Sequence, residues 1–460
     1  MSETYFRALR AVTPTGLRAA SIHVKDGRIL GVGEIDAIPT GAPVVDAGDA
    51  VLMPALVDTH VHVNEPGRTE WEGFETATRA ASAGGISTIV DMPLNSIPPA
   101  TSPRGLAEKA ALTEGRVHVD VGLWGGAVPE NTSGDPRGLV NILREGARGF
   151  KCFLVPSGVD EFPFVTRTDV EAALEQLRGT GVALMVHAEL PGPIDAVAET
   201  MAREVPPPDP RRYSTYLRSR PPSAEEEAVA LLFELAKKTR SPIHVVHLSS
   251  AGALEWLARA KDEGVPLTAE TAPHYLHFSA EEIADGATWF KCAPPIREAD
   301  NRERLFEGLR QGLIEMVVSD HSPCIGSLKR VSEGDFMAAW GGIAGLQFGL
   351  SAVWTEASRR GFGLEDIARW MSARPAAHAG LDDRKGAIAV GRDADFCLFD
   401  PDATFTVQTS KILHKNKLTP YEGRTLRGVV RSTWLRGERI HDGSAPVQSP
   451  KGQWLSRSAS

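Results

Sequence analysis

Between residues 51 and 323, eight short apolar runs rich in β-branched residues alternate with longer amphipathic stretches. The runs are LVDTHVH near 56, ISTIVDM at 86, VHVDVGLW at 117, ARGFKCFL at 147, VALMVHAE at 182, IHVVHLSS at 243, VPLTAET at 265 and IEMVVSDH at 314. Such alternation is the pattern of βα units around a parallel sheet. The stretches between the runs read as helices: in AEEEAVALLFELAKKT, Val229, Leu232, Phe233 and Ala236 fall on one apolar face with Glu and Lys opposite. Eight consecutive units close a (β/α)8 barrel, whereas a doubly wound sheet usually stops near six strands and reverses. The predicted fold class is therefore α/β, with a (β/α)8 barrel over residues 53–383.

The flanks have a different texture. Residues 17–52 and 384–445 hold short strands and turns, as in RAASIHVKDGRILGVGE and KGAIAVGRDADFCLFD, with little helical periodicity. Chain ends of compact folds often lie close together, so residues 1–52 and 384–445 are expected to form one composite β-sandwich. The last stretch, 446–460, is polar and expected to be loose. Two long connections, 190–223 and 324–346, follow strands on the side of a barrel where active sites lie, and read as lids or binding loops. The arginine-rich part of the first, 211–220, reads as a solvated face.

Charge narrows the range of partners. The chain carries 50 basic and 59 acidic side chains, a formal charge of −9, and no basic run, which argues against a nucleic-acid surface. The start, MSETYFRALRAVTPTG, lacks the apolar segment of a signal peptide, and no apolar run is long enough to span a bilayer. A cytoplasmic protein with no membrane partner is expected. Cys152, Cys292, Cys324 and Cys397 lie far apart, with neither a disulfide framework nor a thiolate zinc pattern among them.

Chemistry concentrates at the ends of the runs. His60 and His62 alternate at the end of the first, so their side chains share one face. The fifth run ends at His187, the sixth at His247 and the eighth at Asp320, where barrel chemistry occurs. Imidazole and carboxylate suit zinc and its neighbours, yet these five ligands are too few for two tetrahedral sites and more than one zinc usually takes. Lys151, at the end of the fourth run, sits on the same rim. A buried lysine has a lowered pKa, and its free amine can take up carbon dioxide as a carbamate that bridges two metals. Pairing of Lys151 with Asp320 or Glu189 is the equally weighted alternative. His244 falls on the other side of its strand and reads as a supporting residue, and His274 as a supporting donor or a structural histidine.

The segments DTHVHVNEPGRTEWEGFETATRAASAGGISTIVDMPLNS, GFKCFLVPSGVDEFP, HAELPGP, HVVHLSS, ETAPHYL, KCAPPIR, SDHSPC, GDFMAAWGGIAGLQ and HKNKLTPYEG resemble the allantoinase group of the metal-dependent cyclic amidohydrolases. One departure from the group's pattern is Ala55 in MPALVDTH, where a glycine is common. The resemblance implies a (β/α)8 barrel with a composite β-sandwich and a binuclear centre. His60, His62 and Asp320 would hold one ion, His187 and His247 the other, with Lys151 as N6-carboxylysine between them. Zinc is the expected metal, manganese or cobalt the alternatives, and a homotetramer the expected assembly. The implied reaction is hydrolytic opening of the hydantoin ring of allantoin to allantoate by a metal-bridging hydroxide, with Asp320 as general base and acid.

Within the group's wider family, dihydroorotases carry an arginine for the substrate carboxylate where this chain has Asn64. Dihydropyrimidinases and hydantoinases, the alternative reading, carry a tyrosine a few residues after the lysine, and this chain reads KCFLVPS there. Asn64, Asn95 and Ser322 are the candidate contacts for allantoin. A non-catalytic scaffold is the reading from another class, opposed by the presence of every ligand type in its place.

Overall fold

The computed structural model describes residues 3–443 and 449–457. All eight expected barrel strands form: Leu56–Val61, Ile86–Asp91, Asp120–Leu123, Phe150–Phe153, Leu184–His187, Ile243–Val245, Leu267–Thr271 and Met316–Val317. They pair in parallel in sequence order, and the short Gly125–Gly126 strand carries the third run onto the fourth. The ring closes where Val61 bridges His321 and the His62 amide donates to the His321 carbonyl at 2.8 Å. Nearly every strand residue is buried, which is why the runs are continuously apolar rather than alternating.

The helices follow the expected faces. Pro222–Thr239 buries Val229, Leu232, Phe233 and Ala236, starts on a proline and ends on Lys237 and Lys238. Proline at the first turn loses no helical hydrogen bond, and the terminal lysines complement the helix dipole.

Both chain ends enter one eight-stranded sheet, in which Val51–Pro54 lies between Glu3–Thr13 and Phe396–Thr406. Phe6 touches Trp434 edge-on at 5.0 Å between ring centroids, although two strands separate theirs in the sheet. A flat sheet would keep such strands about 14 Å apart at about 4.8 Å per step. The sheet therefore curls over its own core of Phe6, Ile22, Val24, Leu52, Phe396 and Leu398, which is how a single connected sheet takes on the character of a sandwich.

Two expectations change. In 446–460, residues 446–448 and 458–460 lie outside the described residues, but 449–457 is docked rather than loose. Trp454 bridges Val121, Leu455 is buried, and Arg148 donates to the carbonyls of Leu455 and Ser456 at 3.0 Å each. The segment is polar because its backbone makes the contacts. The connection 190–223 is also not a plain loop: it holds the helices Pro191–Ala202 and Tyr213–Ser219, and the first has no buried residue.

Several histidines are buried neutral in this fold. Burial pushes His277 down to about 4 and His378 down to about 3, the latter helped by the neighbouring His244. The unfolded chain takes up these protons near pH 6.5, so between there and the folded values it binds more protons than the folded chain. Stability is expected to fall as pH drops through that window, by about 1.4 kcal/mol per pH unit for each histidine. Urea midpoints of the metal-free protein between pH 7 and 4.5 test this: His378→Gln should flatten the slope, and an identical slope would contradict the assignment.

Candidate metal centre

The carboxyl ends of the barrel strands open into a cavity of about 420 Å³ lined by His60, His62, Lys151, His187, His247 and Asp320 among others. His60 lies on the first strand and His62 just past it, two residues on, so strand geometry aims both inward. His187 ends the fifth strand. His247 and Asp320 follow strands ending at Val245 and Val317, with φ of 37° and 45°. Left-handed backbone at a non-glycine residue costs about 1–3 kcal/mol and marks places where the surroundings dictate direction. Near Asp320, the buried Asp58 carboxylate accepts from the Ser319 amide and so anchors the turn.

The ligand atoms of His60, His62 and Asp320 lie within 4.8 Å of one another. Nε2 of His60 is 3.3 Å and Nε2 of His62 3.6 Å from Asp320 Oδ1. Nδ1 of His187 is 2.9 Å from Nε2 of His247. The His60 ring is 5.4 Å from that of His247, so the two groups adjoin. Lys151 Nζ lies 4.9 Å from the Phe153 ring, which stacks on His187.

The electrostatics suit a cation. Burial alone would raise the Asp320 carboxyl, but His60 and His62 hold it at about 2, so it is ionised at neutral pH. Burial lowers His62 to about 4 and keeps it neutral. Burial also lowers Lys151 to about 8, with Asp320 and Glu270 opposing. Among the described residues, neither His60 Nε2 nor Lys151 Nζ has a hydrogen-bond partner, though both are fully buried. Such orphaned atoms cost free energy unless something meets them, and neutral imidazoles beside an ionised carboxylate form a donor set that fits a divalent ion. The alternative pairing of Lys151 with Glu189 does not form: Glu189 is engaged by His187 and Arg220.

Two glutamates that sequence reasoning did not assign hold the outer nitrogens of these rings. Glu270, on the seventh strand, accepts from His60 Nδ1 and lies 3.2 Å from His244 Nε2. His244 thus supports the centre from behind, as expected. Glu189 takes the outer nitrogen of His187. The only sequence signal for Glu270 is an acid at the end of an otherwise apolar run.

The candidate substrate contacts divide. Asn95, with φ of 69°, and Ser322 line the cavity. Asn64 does not: it is fully buried in the turn after the first strand, and its amide donates to the Pro323 carbonyl at 3.3 Å. Of the arginine-rich stretch 211–220, Arg220 turns inward to the cavity beside Tyr216, where a solvated face was expected. Residues 337–342 form part of the wall, and Gly342 is required there: a Cβ would sit 2.2 Å from the Ser322 carbonyl at a φ of +125°. Where a hydantoinase tyrosine would be sought, the Ser157 hydroxyl is occupied, donating to the Phe162 carbonyl at 2.6 Å.

A (β/α)8 barrel with imidazoles, a carboxylate and a buried lysine gathered at its carboxyl rim is built for metal-assisted hydrolysis. Residues 51–440 match the Amidohydrolase family, and the chain belongs to it. It is 52% identical over 457 residues to the allantoinase of Streptomyces avermitilis, covering 99% of both chains. It is 44% identical to the allantoinase of Arabidopsis thaliana, covering 94% of this chain and 86% of the relative. Among solved structures, the L-hydantoinase (dihydropyrimidinase) of Arthrobacter aurescens superposes with a TM-score of 0.91 at 29% identity, covering 99% of this chain and 100% of that one. Among the described residues, no helix is long and apolar enough to cross a membrane.

Proposed function

We propose that this chain hydrolyses allantoin to allantoate, opening the hydantoin ring at the amide next to the carbon that bears the ureido group. The observation that carries the reading is its identity to allantoinases along nearly the whole chain, well above its identity to the hydantoinases that share the fold. The cavity supports a neutral ligand. Apart from Lys151, its lining cations are Arg220, paired with Glu189, and Lys291, which donates to the Met337 and Ala339 carbonyls at 3.0 and 2.6 Å. Both are thus already engaged by groups of the protein itself, which disfavours a substrate carboxylate of the dihydroorotate kind.

Two divalent ions, zinc in this reading, would be held by His60, His62 and Asp320 and by His187 and His247, with Lys151 as a carbamate between them. When bound, they supply Lewis acidity toward the ring carbonyl and make water acidic enough to react at neutral pH. Asp320, ionised and beside both histidines of the first group, accepts the proton of the attacking water. The amide C–N bond then breaks, Asp320 returns the proton to the leaving ring nitrogen, and the carbonyl carbon becomes a carboxylic acid that loses its remaining proton to solvent as the new carboxylate. Phe153, Ile194 and Trp340 supply apolar wall that limits water, while Asn95 and Ser322 offer polar groups to the ureido and ring amides.

A panel of allantoin, hydantoin, dihydrouracil and dihydroorotate, assayed on one metal-analysed preparation, tests the assignment. Allantoin should give the highest kcat/KM. Efficient turnover of hydantoin or dihydrouracil with none of allantoin would overturn the substrate and leave the metal centre standing.

A further inference from the structure

The last turn of the 190–223 insertion reaches the candidate metal centre through a single side chain. Arg220 caps the helix Tyr213–Ser219, and its carbonyl accepts from Arg297 Nη1 at 3.3 Å, which pins the backbone there. Its guanidinium grips Glu189 with two bonds, Nε to Oε1 at 2.9 Å and Nη2 to Oε2 at 2.5 Å. Glu189 Oε2 in turn takes His187 Nε2 at 2.6 Å, and the Glu189 side chain is completely buried. A buried carboxylate facing an imidazole demands the proton on the near nitrogen. His187 is thereby held as the Nε2–H tautomer, with the Nδ1 lone pair directed toward His247. The bidentate fork fixes the carboxylate plane as well as its position, which a single ammonium could not do.

The other half of the centre is held differently. The His60 ring is oriented by Glu270, which leans on His244 and also accepts the His247 backbone amide at 3.4 Å, with no arginine and no part of the insertion involved. At the ring nitrogens, therefore, Glu270 holds His60 and Glu189 holds His187, and of these two clamps only the Glu189 one is tied to the insertion.

We propose that Arg220 is a positioning residue for the His187–His247 half of the centre, acting through Glu189 on the orientation and tautomer of His187. The inference rests on the two-ion reading above. It makes the two halves separable: loosening the Arg220–Glu189 clamp weakens the hold on one ion and leaves the other unchanged.

The test is metal release from the zinc-loaded enzyme, prepared in bicarbonate, into an excess of chelator. The unsubstituted protein is measured first and should release two ions per chain. In Arg220→Met, one ion should leave about 10- to 100-fold faster, the usual cost of losing an outer-shell partner, while the other keeps its rate. Glu189→Gln should act on the same ion, which covers the case in which Arg220→Met fails to fold. Arg220→Lys should fall between, and Glu270→Gln should speed the other ion. Unchanged release in Arg220→Met, or equal acceleration of both ions as general loosening would produce, overturns the proposal. An unsubstituted protein that binds no metal ends the two-ion reading itself, a failure visible before any variant is made.

Discussion

Asp320→Asn should retain its metal and lose turnover of allantoin by about 10²–10⁴-fold, the range general acid–base catalysis contributes. The amide keeps an oxygen where Oδ1 now faces His60 and His62. It also tolerates the left-handed backbone that this position adopts, because asparagine is among the few residues that do so readily. What the substitution removes is the capacity to take a proton from water and hand it to the ring nitrogen. Metal content and kcat measured on the same preparation check this, and near-parental kcat in the variant would remove Asp320 from its role.

Lys151→Ala should cost turnover at least as heavily as Asp320→Asn, and should also reduce the metal bound per chain. Lys151 is buried within its strand, Phe150–Phe153, with an amine that burial has made less basic and that no acceptor among the described residues satisfies. In the proposed modification the ammonium would first give up one proton, and the free amine would then attack carbon dioxide, forming an N–C bond and releasing a second proton to solvent. The side chain would thereby change from a cation to an anion with two oxygens. Such an anion between the two histidine groups would offset the charge of bound ions, which a buried ammonium would repel. Native intact mass should show one carbon dioxide on the unsubstituted chain and none on the variant. Full activity in Lys151→Ala would contradict the bridging role.

The barrel and the inward-facing ligands were legible because both depend on short-range rules. A buried parallel strand must be apolar on both faces, and a period of two places His60 and His62 side by side. The positions of His187, His247 and Asp320 at or just past their strands could be read from where the apolar runs stop. The parts that were not legible act through another residue or through backbone. Glu270 and Glu189 are ordinary acids until the rings they face are known. Arg220 stands in a stretch that looks solvated, and only the fold turns it inward. The helix Pro191–Ala202 buries none of its residues, so its sequence lacks the one-sided apolar signal of a packed helix. Residues 449–457 are polar in composition, yet their carbonyls satisfy the buried Arg148. Asn64 was a candidate substrate contact because it stands where dihydroorotases carry a substrate-binding arginine, but the chain turns there and takes its side chain into the loop.

In the proposed reading, a two-ion centre on this rim opens allantoin. Metal-free protein in bicarbonate buffer, titrated with zinc while allantoin hydrolysis is followed, tests it most directly. No turnover is expected without metal, with a rise to a plateau at two ions per chain. Full activity in the metal-free protein, or a plateau reached at one ion, would contradict it.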